Sequence, residues 1–191
     1  ACSVGVVEGE RVRAAEFVAG PRGQGERLLP MALAVLEKAG LGFADMDRLG
    51  VTIGPGSFSG IRIGLAAARG LALVTGRPLG GITTLRAIAA GVPAALRAGR
   101  EVAVVSEARR GDAYTQLFDA NLAPLGEPEL SPKADLAHTL GGRDVVLAGD
   151  AAGAVRDLAS DRERLIVAEG TANPDAIAVA RLAAQDPIVG S

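Results

Sequence analysis

The chain contains a short apolar strand that runs through a glycine-rich turn directly into a long helix. The strand is predicted over Leu49–Ile53 and the helix over Ser57–Thr75. Between them lie Gly54, Pro55 and Gly56. Ser57 is a favourable N-cap, because its hydroxyl can accept a hydrogen bond from a backbone N–H of the first helical turn. A strand that turns this tightly into a helix is typical of α/β folds.

The same turn matches neither common nucleotide-binding motif. A Walker A loop needs Lys and Ser or Thr after its last glycine, but Gly60 is followed by Ile61 and Arg62. The dinucleotide fingerprint needs glycine at the position that Ser59 occupies. We therefore interpret the segment from Gly54 to Ser57 as a structural turn.

Strands and helices alternate along the chain in two similar halves. In the first half, strands are predicted over residues 4–7, 11–17, 49–53 and 79–82, and helices over 26–39, 57–75 and 84–92. In the second half, strands are predicted over 101–106, 113–118, 122–130, 145–147 and 165–167, and helices over 132–140, 151–158 and 174–184. This order predicts largely parallel sheets covered by helices. One further strand before Ala1 would make the two halves match.

Composition and charge argue against several classes of protein. The 191 residues include 20 Lys and Arg against 22 Asp and Glu, a net charge of −2 that provides no basic field for nucleic acid. The single cysteine, Cys2, excludes an internal disulfide, and the single histidine, His138, excludes a zinc site of several His ligands. No signal peptide is recognisable, and we expect no apolar stretch of membrane-spanning length. We predict a cytoplasmic protein with no membrane contact, no metal and no cofactor.

Small residues recur at helical spacing on the long helix. Gly60, Gly64 and Ala68 follow one another at i, i+4 and i+8, with Ala67 beside them. A glycine inside a helix costs about 1 kcal/mol relative to alanine, so this stripe indicates close approach of another backbone. That backbone belongs either to a partner chain or to this chain's own sheet or its helix over 26–39. Two arginines, Arg62 and Arg69, form a polar stripe on the same helix.

Several segments resemble the bacterial TsaB (YeaZ) family. The most specific is Gly54–Gly64 (GPGSFSGIRIG) with Gly70–Ala72, and the others are Ala1–Val4, Glu26–Met31 and Glu107–Tyr114. The family often has His where this chain has Gln24, and Asp where it has Glu107. Its first strand, which ends in Asp-Thr, would precede Ala1.

The resemblance implies a duplicated actin/Hsp70-like (ASKHA) fold, an α/β fold of two small lobes, each with a mixed sheet and flanking helices. The first strand of that fold is missing from this chain. We expect an N-terminal lobe over residues 1–98, which carries the partner-binding helices, and a C-terminal lobe over 99–191, without the family's usual tail.

The resemblance also implies a non-catalytic scaffold subunit that forms a heterodimer with the catalytic subunit TsaD in the complex that makes t6A37 in tRNA. A TsaE-like ATPase is a further partner, tRNA is reached only through the complex, and a second copy of the chain takes the place of TsaD when TsaD is absent. The expected partner interface consists of Leu29, Leu33, Leu36, Gly60, Ile61, Gly64, Ala67, Ala68 and Leu71, with Arg62 and Arg69 as its polar stripe.

Two enzymatic alternatives stay open at this point. The first is an M22-type glycoprotease, for which a metal mechanism needs more ligands than one histidine supplies. A serine mechanism would need His138 near Ser57 or Ser59, which the sequence does not reveal. The second alternative is an ATP-binding enzyme of the same fold, which fold alone does not establish.

Overall fold

The computed structural model describes residues 1–20, 23–109 and 111–186, so Arg110 of the Glu107–Tyr114 segment lies outside the described residues. The chain forms two compact units: Ala1–Thr83 together with the chain from Asp175 onward, and Thr84–Pro174. This division differs from the predicted one between residues 98 and 99. The helix that follows Thr83 packs against strands of the second unit, and the last helix packs against strands of the first.

The described residues of the first unit form two small sheets and three α-helices. Its elements are β1 (Cys2–Glu8), β2 (Arg11–Val18), α1 (Gln24–Ala39), β3 (Leu49–Gly54), α2 (Phe58–Thr75), β4 (Leu79–Thr83) and the chain's last helix, α7 (Ala176–Gln185). Strands β1 and β2 are antiparallel, and β3 and β4 are parallel. Within the described part of the chain, no strand joins these two pairs into the single mixed sheet that the sequence predicts.

Helix α7 packs on both of these strand pairs. A methyl group at Gly5 of β1 would lie 2.6 Å from Cδ1 of Ile177, and one at Gly50 of β3 would lie 2.7 Å from Cβ of Ala183. Glycine at these two positions therefore lets the helix approach the backbone of each strand. The core under α1 is formed by Val6, Met31, Val35, Leu36 and Ala39.

The second unit is built on one five-stranded mixed sheet. Its elements are α3 (Thr84–Ala90), α4 (Ala94–Arg97), β5 (Glu101–Glu107), β6 (Asp112–Phe118), β7 (Glu129–Pro132), α5 (Lys133–Leu140), β8 (Val145–Ala148), α6 (Ala152–Leu158) and β9 (Leu165–Val167). The strand order is β7-β6-β5-β8-β9, with β5 antiparallel to β6 and parallel to β8.

Both faces of the second sheet are buried. Because side chains alternate along a strand, Ala103 and Val105 of β5 lie in one core cluster, and Val102 and Val104 lie in another. Helices α5 and α6 supply the first cluster, and α3 supplies the second. The α/β class predicted from the sequence is thereby confirmed.

Strand β7 begins later than the periodicity predicts, at Glu129 instead of Leu122. The intervening residues form a turn, in which the carboxylate of Asp119 accepts hydrogen bonds from the N–H groups of Asn121 and Ala123. Leu122 adopts a left-handed conformation with φ +67°. An Asp that accepts from the backbone two residues further on is a turn signal that competes with strand pairing.

Candidate protein–protein interface

The turn before α2 is held by local contacts. Gly54 has φ +113°, a conformation that favours glycine, and Cδ1 of Ile61 would lie 3.2 Å from a methyl group there. The Ser57 hydroxyl accepts a hydrogen bond from the N–H of Gly60 at 3.2 Å, which makes it the N-cap that the sequence predicts. Gly76 ends the helix with φ +66°. This turn fixes the direction in which α2 leaves β3.

Helix α1 has a buried side and an exposed apolar side. Leu29 and Leu33, one helical turn apart, have exposed fractions of 45% and 58%. Leu36 is only 5% exposed and packs in the core with Met31 and Val35. The structure thus corrects the prediction for Leu36: its side chain is buried in the core beneath α1 and does not lie on the exposed side of the helix.

The two glycines of the predicted stripe face the first unit itself. A methyl group at Gly64 would lie 3.6 Å from Cγ2 of Val51 in β3. A methyl group at Gly60 would lie 2.7 Å from the hydroxyl oxygen of Ser57 and 3.3 Å from Oε1 of Gln24. The atoms nearest to these glycines therefore belong to the same chain: Val51 lies at ordinary contact distance from Gly64, and the N-cap Ser57 and Gln24 lie close to Gly60. The other predicted members on α2, Ile61, Ala67, Ala68 and Leu71, are half-buried.

The opposite side of α2 is open to solvent along its whole length. The exposed residues recur at intervals of three or four: Phe58, Ser59, Arg62, Ala66, Arg69, Gly70, Leu73 and Val74. Leu73 and Val74 are each 85% exposed, and a methyl group at Gly70 would meet nothing within 4 Å. We call these residues, together with Leu29 and Leu33, the outer face. The sequence signal for this face was the pair Arg62 and Arg69. Steps of three or four residues from these arginines, which keep to one side of a helix, lead to Ala66 and Leu73.

No residue of α2 is fully buried. The helix has 18 residues with a mean hydropathy of 1.3, which is long and apolar enough to cross a membrane by length and composition. The expectation that no stretch reaches that length is therefore wrong, because Arg62 and Arg69 are its only charged residues. One side of α2 nevertheless packs on β3 and α1 as part of an α/β unit.

Charged side chains lie on the outer face and beside it. The guanidinium of Arg62 lies 3.7 Å from the centroid of the Phe58 ring, a cation–π contact that orients it. Arg69 on α2 and Glu26 and Glu37 on α1 are exposed. Among the described residues, these four charges form no ion pair.

The motif Glu107–Tyr114 lies in the second unit, at the turn between β5 and β6. The ammonium of Lys133 donates to both carboxylate oxygens of Glu107, at 2.7 and 2.9 Å. The N–H of Glu107 donates to Oδ1 of Asp150 at 2.8 Å. These contacts tie the end of β5 to α5 and to the turn after β8, which is a structural role.

The single histidine and the single cysteine lie in ordinary positions. His138 is exposed on α5, and Cys2 is half-buried at the start of β1. Burial raises the pKa of the Cys2 thiol, opposed by the N-terminal ammonium and Arg27. Within the described residues, no three His, Cys, Asp or Glu side chains are grouped so as to hold a metal ion.

The sequence is similar to known proteins of tRNA threonylcarbamoyladenosine biosynthesis. The family model of TsaD, described as tRNA N6-adenosine threonylcarbamoyltransferase, matches residues 21–131, more than half of the chain. The "tRNA threonylcarbamoyladenosine biosynthesis protein TsaB" of Escherichia coli (strain K12) is 39% identical over 114 residues, 60% of this chain and 48% of that protein. A tRNA N6-adenosine threonylcarbamoyltransferase of Erythrobacter litoralis is 43% identical over 58 residues, 30% of this chain and 17% of that protein. The chain spans about half the length of the TsaB relative that it matches.

Two solved structures from Pseudomonas aeruginosa share the fold. YeaZ superposes with a TM-score of 0.77 and 26% identity, covering 95% of this chain and 84% of that chain. An uncharacterized protein with similarity to peptidase YeaZ gives a TM-score of 0.79 and 25% identity with the same coverage. The motif around Gly54–Gly64, the family match and the shared actin-like fold agree, and the chain belongs to the TsaB (YeaZ) family of tRNA threonylcarbamoyladenosine biosynthesis proteins.

Proposed function

We propose that this chain is a non-catalytic subunit of a t6A-forming complex, and that it binds a TsaD-type threonylcarbamoyltransferase through the outer face of α1 and α2. In this proposal the chain acts in the cytoplasm as a scaffold. A TsaE-like ATPase joins the same complex, and tRNA is reached through the assembled partners. When the transferase is absent, a second copy of the chain covers the same face.

The exposed side of α2 is the observation that carries the proposal. Isolated exposed apolar residues are common on protein surfaces, but contiguous apolar patches mark interaction sites. Leu73 and Val74 are almost fully exposed on α2, and Leu29 and Leu33 are exposed on the helix that packs beside it. Gly70 adds a place where a partner backbone can approach without meeting this chain.

The family match supports the choice of partner. The TsaD family model matches residues 21–131, a range that includes both α1 and α2. A TsaD-type protein is therefore expected to present a related pair of helices. Two related helix pairs can pack against each other as the two halves of a nearly symmetric interface, as identical subunits do in an isologous dimer.

The charge of the chain supports an indirect role toward tRNA. A net charge of −2 gives the chain no overall positive field toward the phosphates of a nucleic acid backbone. A subunit that positions a transferase can act without its own nucleic-acid surface. This assignment places the chemistry of threonylcarbamoyl transfer in the partner.

The direct test combines binding with product formation. The purified chain is titrated with the threonylcarbamoyltransferase of the same organism by calorimetry, and t6A formation is measured with and without the chain. We expect a stable one-to-one complex, a strong dependence of t6A formation on the chain, and no peptide hydrolysis by the chain alone. Absence of binding, or peptidase activity that depends on residues of this chain, would contradict the proposal.

A further inference from the structure

Strand β2 has an open edge. Within the described residues, β1 is the one strand that pairs with β2, so the other edge of β2 is free. A bulge lies near the turn between the strands, where the register shifts between Val6 and Val7. Beyond the bulge, residues 14–18 pair regularly with β1, and none of them is proline. Alternate residues of this stretch therefore direct their backbone N–H and C=O groups to the free edge.

The outer strand of the second sheet, β7, is protected against such pairing. The N–H of Lys133 donates inward, to the carbonyl oxygen of Gly111 at 3.2 Å. Because inward and outward positions alternate along an antiparallel ladder, positions 128, 130 and 132 are turned outward. Pro132 and, just before the strand, Pro128 occupy two of these positions, and proline has no N–H to donate. The edge of β2 has no such protection.

A groove lies between β2 and α1, beside the open edge. It has a volume of about 310 Å³, and its apolar lining consists of Val18 on β2 and of Pro30, Met31 and Ala34 on α1. Val18 packs against the core under α1, so every second side chain of β2 faces that helix. A strand added to the edge would turn every second side chain toward this β2–α1 groove.

The rim of the β2–α1 groove carries more acidic than basic side chains. Glu16 of β2 and Glu26 of α1 line it together with Arg27. The ammonium of Lys38 lies 2.9 Å from Oε2 of Glu16, but an exposed ion pair of this kind contributes at most about 1 kcal/mol. A cation from a bound segment can therefore replace Lys38 at little cost, and Glu26 is exposed.

We infer that β2 is a docking edge for an extended segment of a partner polypeptide, which adds to the first unit as a further strand. Main-chain hydrogen bonds to residues 14–18 would provide the affinity, and the groove would select the alternate side chains. An apolar side chain packs on Met31, and Lys or Arg two residues to either side meets Glu16 and Glu26. The groove shares no lining residue with the outer face, so the inference does not depend on the proposed function.

A synthetic peptide tests the inference. The fluorescently labelled peptide Thr-Lys-Thr-Leu-Thr-Lys-Thr places Lys, Leu and Lys on one side of an extended chain, and its binding is followed by fluorescence anisotropy at low ionic strength. We expect saturable binding and, with saturating peptide, at least about tenfold slower amide hydrogen exchange within residues 14–18. The same peptide methylated on two successive central amide nitrogens should bind at least about tenfold more weakly, because one of the two must donate to β2.

Charge reversal in the groove tests the selection of the peptide. Glu16→Lys with Glu26→Lys should weaken binding at least about tenfold, and a peptide with Glu in place of both Lys residues should bind this variant better than wild type. The control Glu127→Lys with Glu169→Lys makes the same change in net charge at exposed carboxylates of the second unit, and its dissociation constant should stay within about threefold of wild type.

Four results would overturn the inference. They are no saturable binding up to millimolar peptide, binding without slower exchange in residues 14–18, wild-type affinity of the Glu16→Lys and Glu26→Lys variant, and slower exchange in residues 14–18 that grows with protein concentration in the absence of peptide. The last result would assign the edge to a second copy of the chain.

Discussion

The two units have the same order of strands and helices, but their strands are joined into sheets differently. The order β6-β7-α5-β8-α6-β9 in the second unit corresponds to β1-β2-α1-β3-α2-β4 in the first. In the second unit, β5 joins the antiparallel and the parallel strands into one sheet. The described part of the first unit has no counterpart of β5, and both of its strand pairs pack against helix α7.

The corresponding helices differ in the same way. Helix α6 has seven residues and buries Ala152 and Val155 in the core of its own unit. Helix α2 has 18 residues and buries none of them completely. A helix that only covers its own sheet can be short. Helix α2 is longer, and one of its sides is exposed along the whole helix. The two units thus share one architecture, but α2 leaves the outer face exposed in the described part of its own unit.

The largest expected effect on stability lies in the second unit, at the turn between β8 and α6. Gly149 has φ +103°, and a methyl group there would lie 2.2 Å from the carbonyl oxygen of Val105. Gly149→Ala should therefore reduce the free energy of unfolding by more than about 3 kcal/mol, measured by urea denaturation. Gly153→Ala in α6, where a methyl group meets nothing within 4 Å, should be neutral or stabilising by up to about 1 kcal/mol. Equal stability of the two variants would contradict this account of the turn.

Core truncation in the second unit should cost much more than truncation on the outer face. Leu147 of β8 is fully buried, so Leu147→Ala should destabilise the protein by about 2–5 kcal/mol. Leu73 of α2 is 85% exposed, so Leu73→Ala should change stability by less than about 0.5 kcal/mol. Urea midpoints measure both. A large loss for Leu73→Ala would show that this residue is covered within its own chain.

The orientation of α2 predicts an intermediate effect at Gly64. A methyl group fits there in ordinary contact with Val51, so Gly64→Ala should be neutral or stabilising by up to about 1 kcal/mol. Gly64→Leu must displace β3 and should destabilise the protein by about 1–3 kcal/mol. Thermal unfolding of the two variants distinguishes these results. Wild-type stability of Gly64→Leu would mean that the glycine stripe faces outward.

The smallest effect is expected at a surface ion pair of the second unit. The guanidinium of Arg164 donates to both carboxylate oxygens of Asp144, at 3.2 and 2.9 Å, and holds the pKa of that carboxyl below its ordinary value of 3.8. The stabilisation is complete above the unfolded-state pKa and is lost as the pH falls through the lower, folded-state pKa. Asp144→Asn should therefore slightly lower the melting temperature near neutral pH and leave it unchanged in strong acid. A difference that grew on acidification would contradict this assignment.

Local features of the fold could be predicted from the sequence because their causes are local. The N-cap at Ser57 and the helix-ending glycine at Gly76 each act within one helical turn, and α1 and α2 are found within two residues of their predicted bounds. The packing of α7 against Gly5 and Gly50 joins residues more than a hundred positions apart, and no periodicity reports such a contact. The boundary between the units follows from that packing.

The candidate site shows the same limit. Spacing at i and i+4 establishes that Gly60 and Gly64 share a face, but it does not say whether that face turns toward the chain's own sheet or away from it. The answer depends on Val51 and Gln24, which belong to other elements. Exposed residues such as Leu73 and Val74 resemble core residues in the sequence, and only their position identifies them as surface.

Binding of the transferase to a single glycine variant tests the central claim, that the outer face of α1 and α2 receives the partner. Gly70→Leu adds bulk where this chain has open space, and Gly153→Leu makes the same change on α6 of the other unit. By calorimetric titration, we predict that Gly70→Leu weakens binding of the threonylcarbamoyltransferase at least about thirtyfold, with unchanged stability, while Gly153→Leu binds like wild type. Wild-type affinity of Gly70→Leu would contradict the claim.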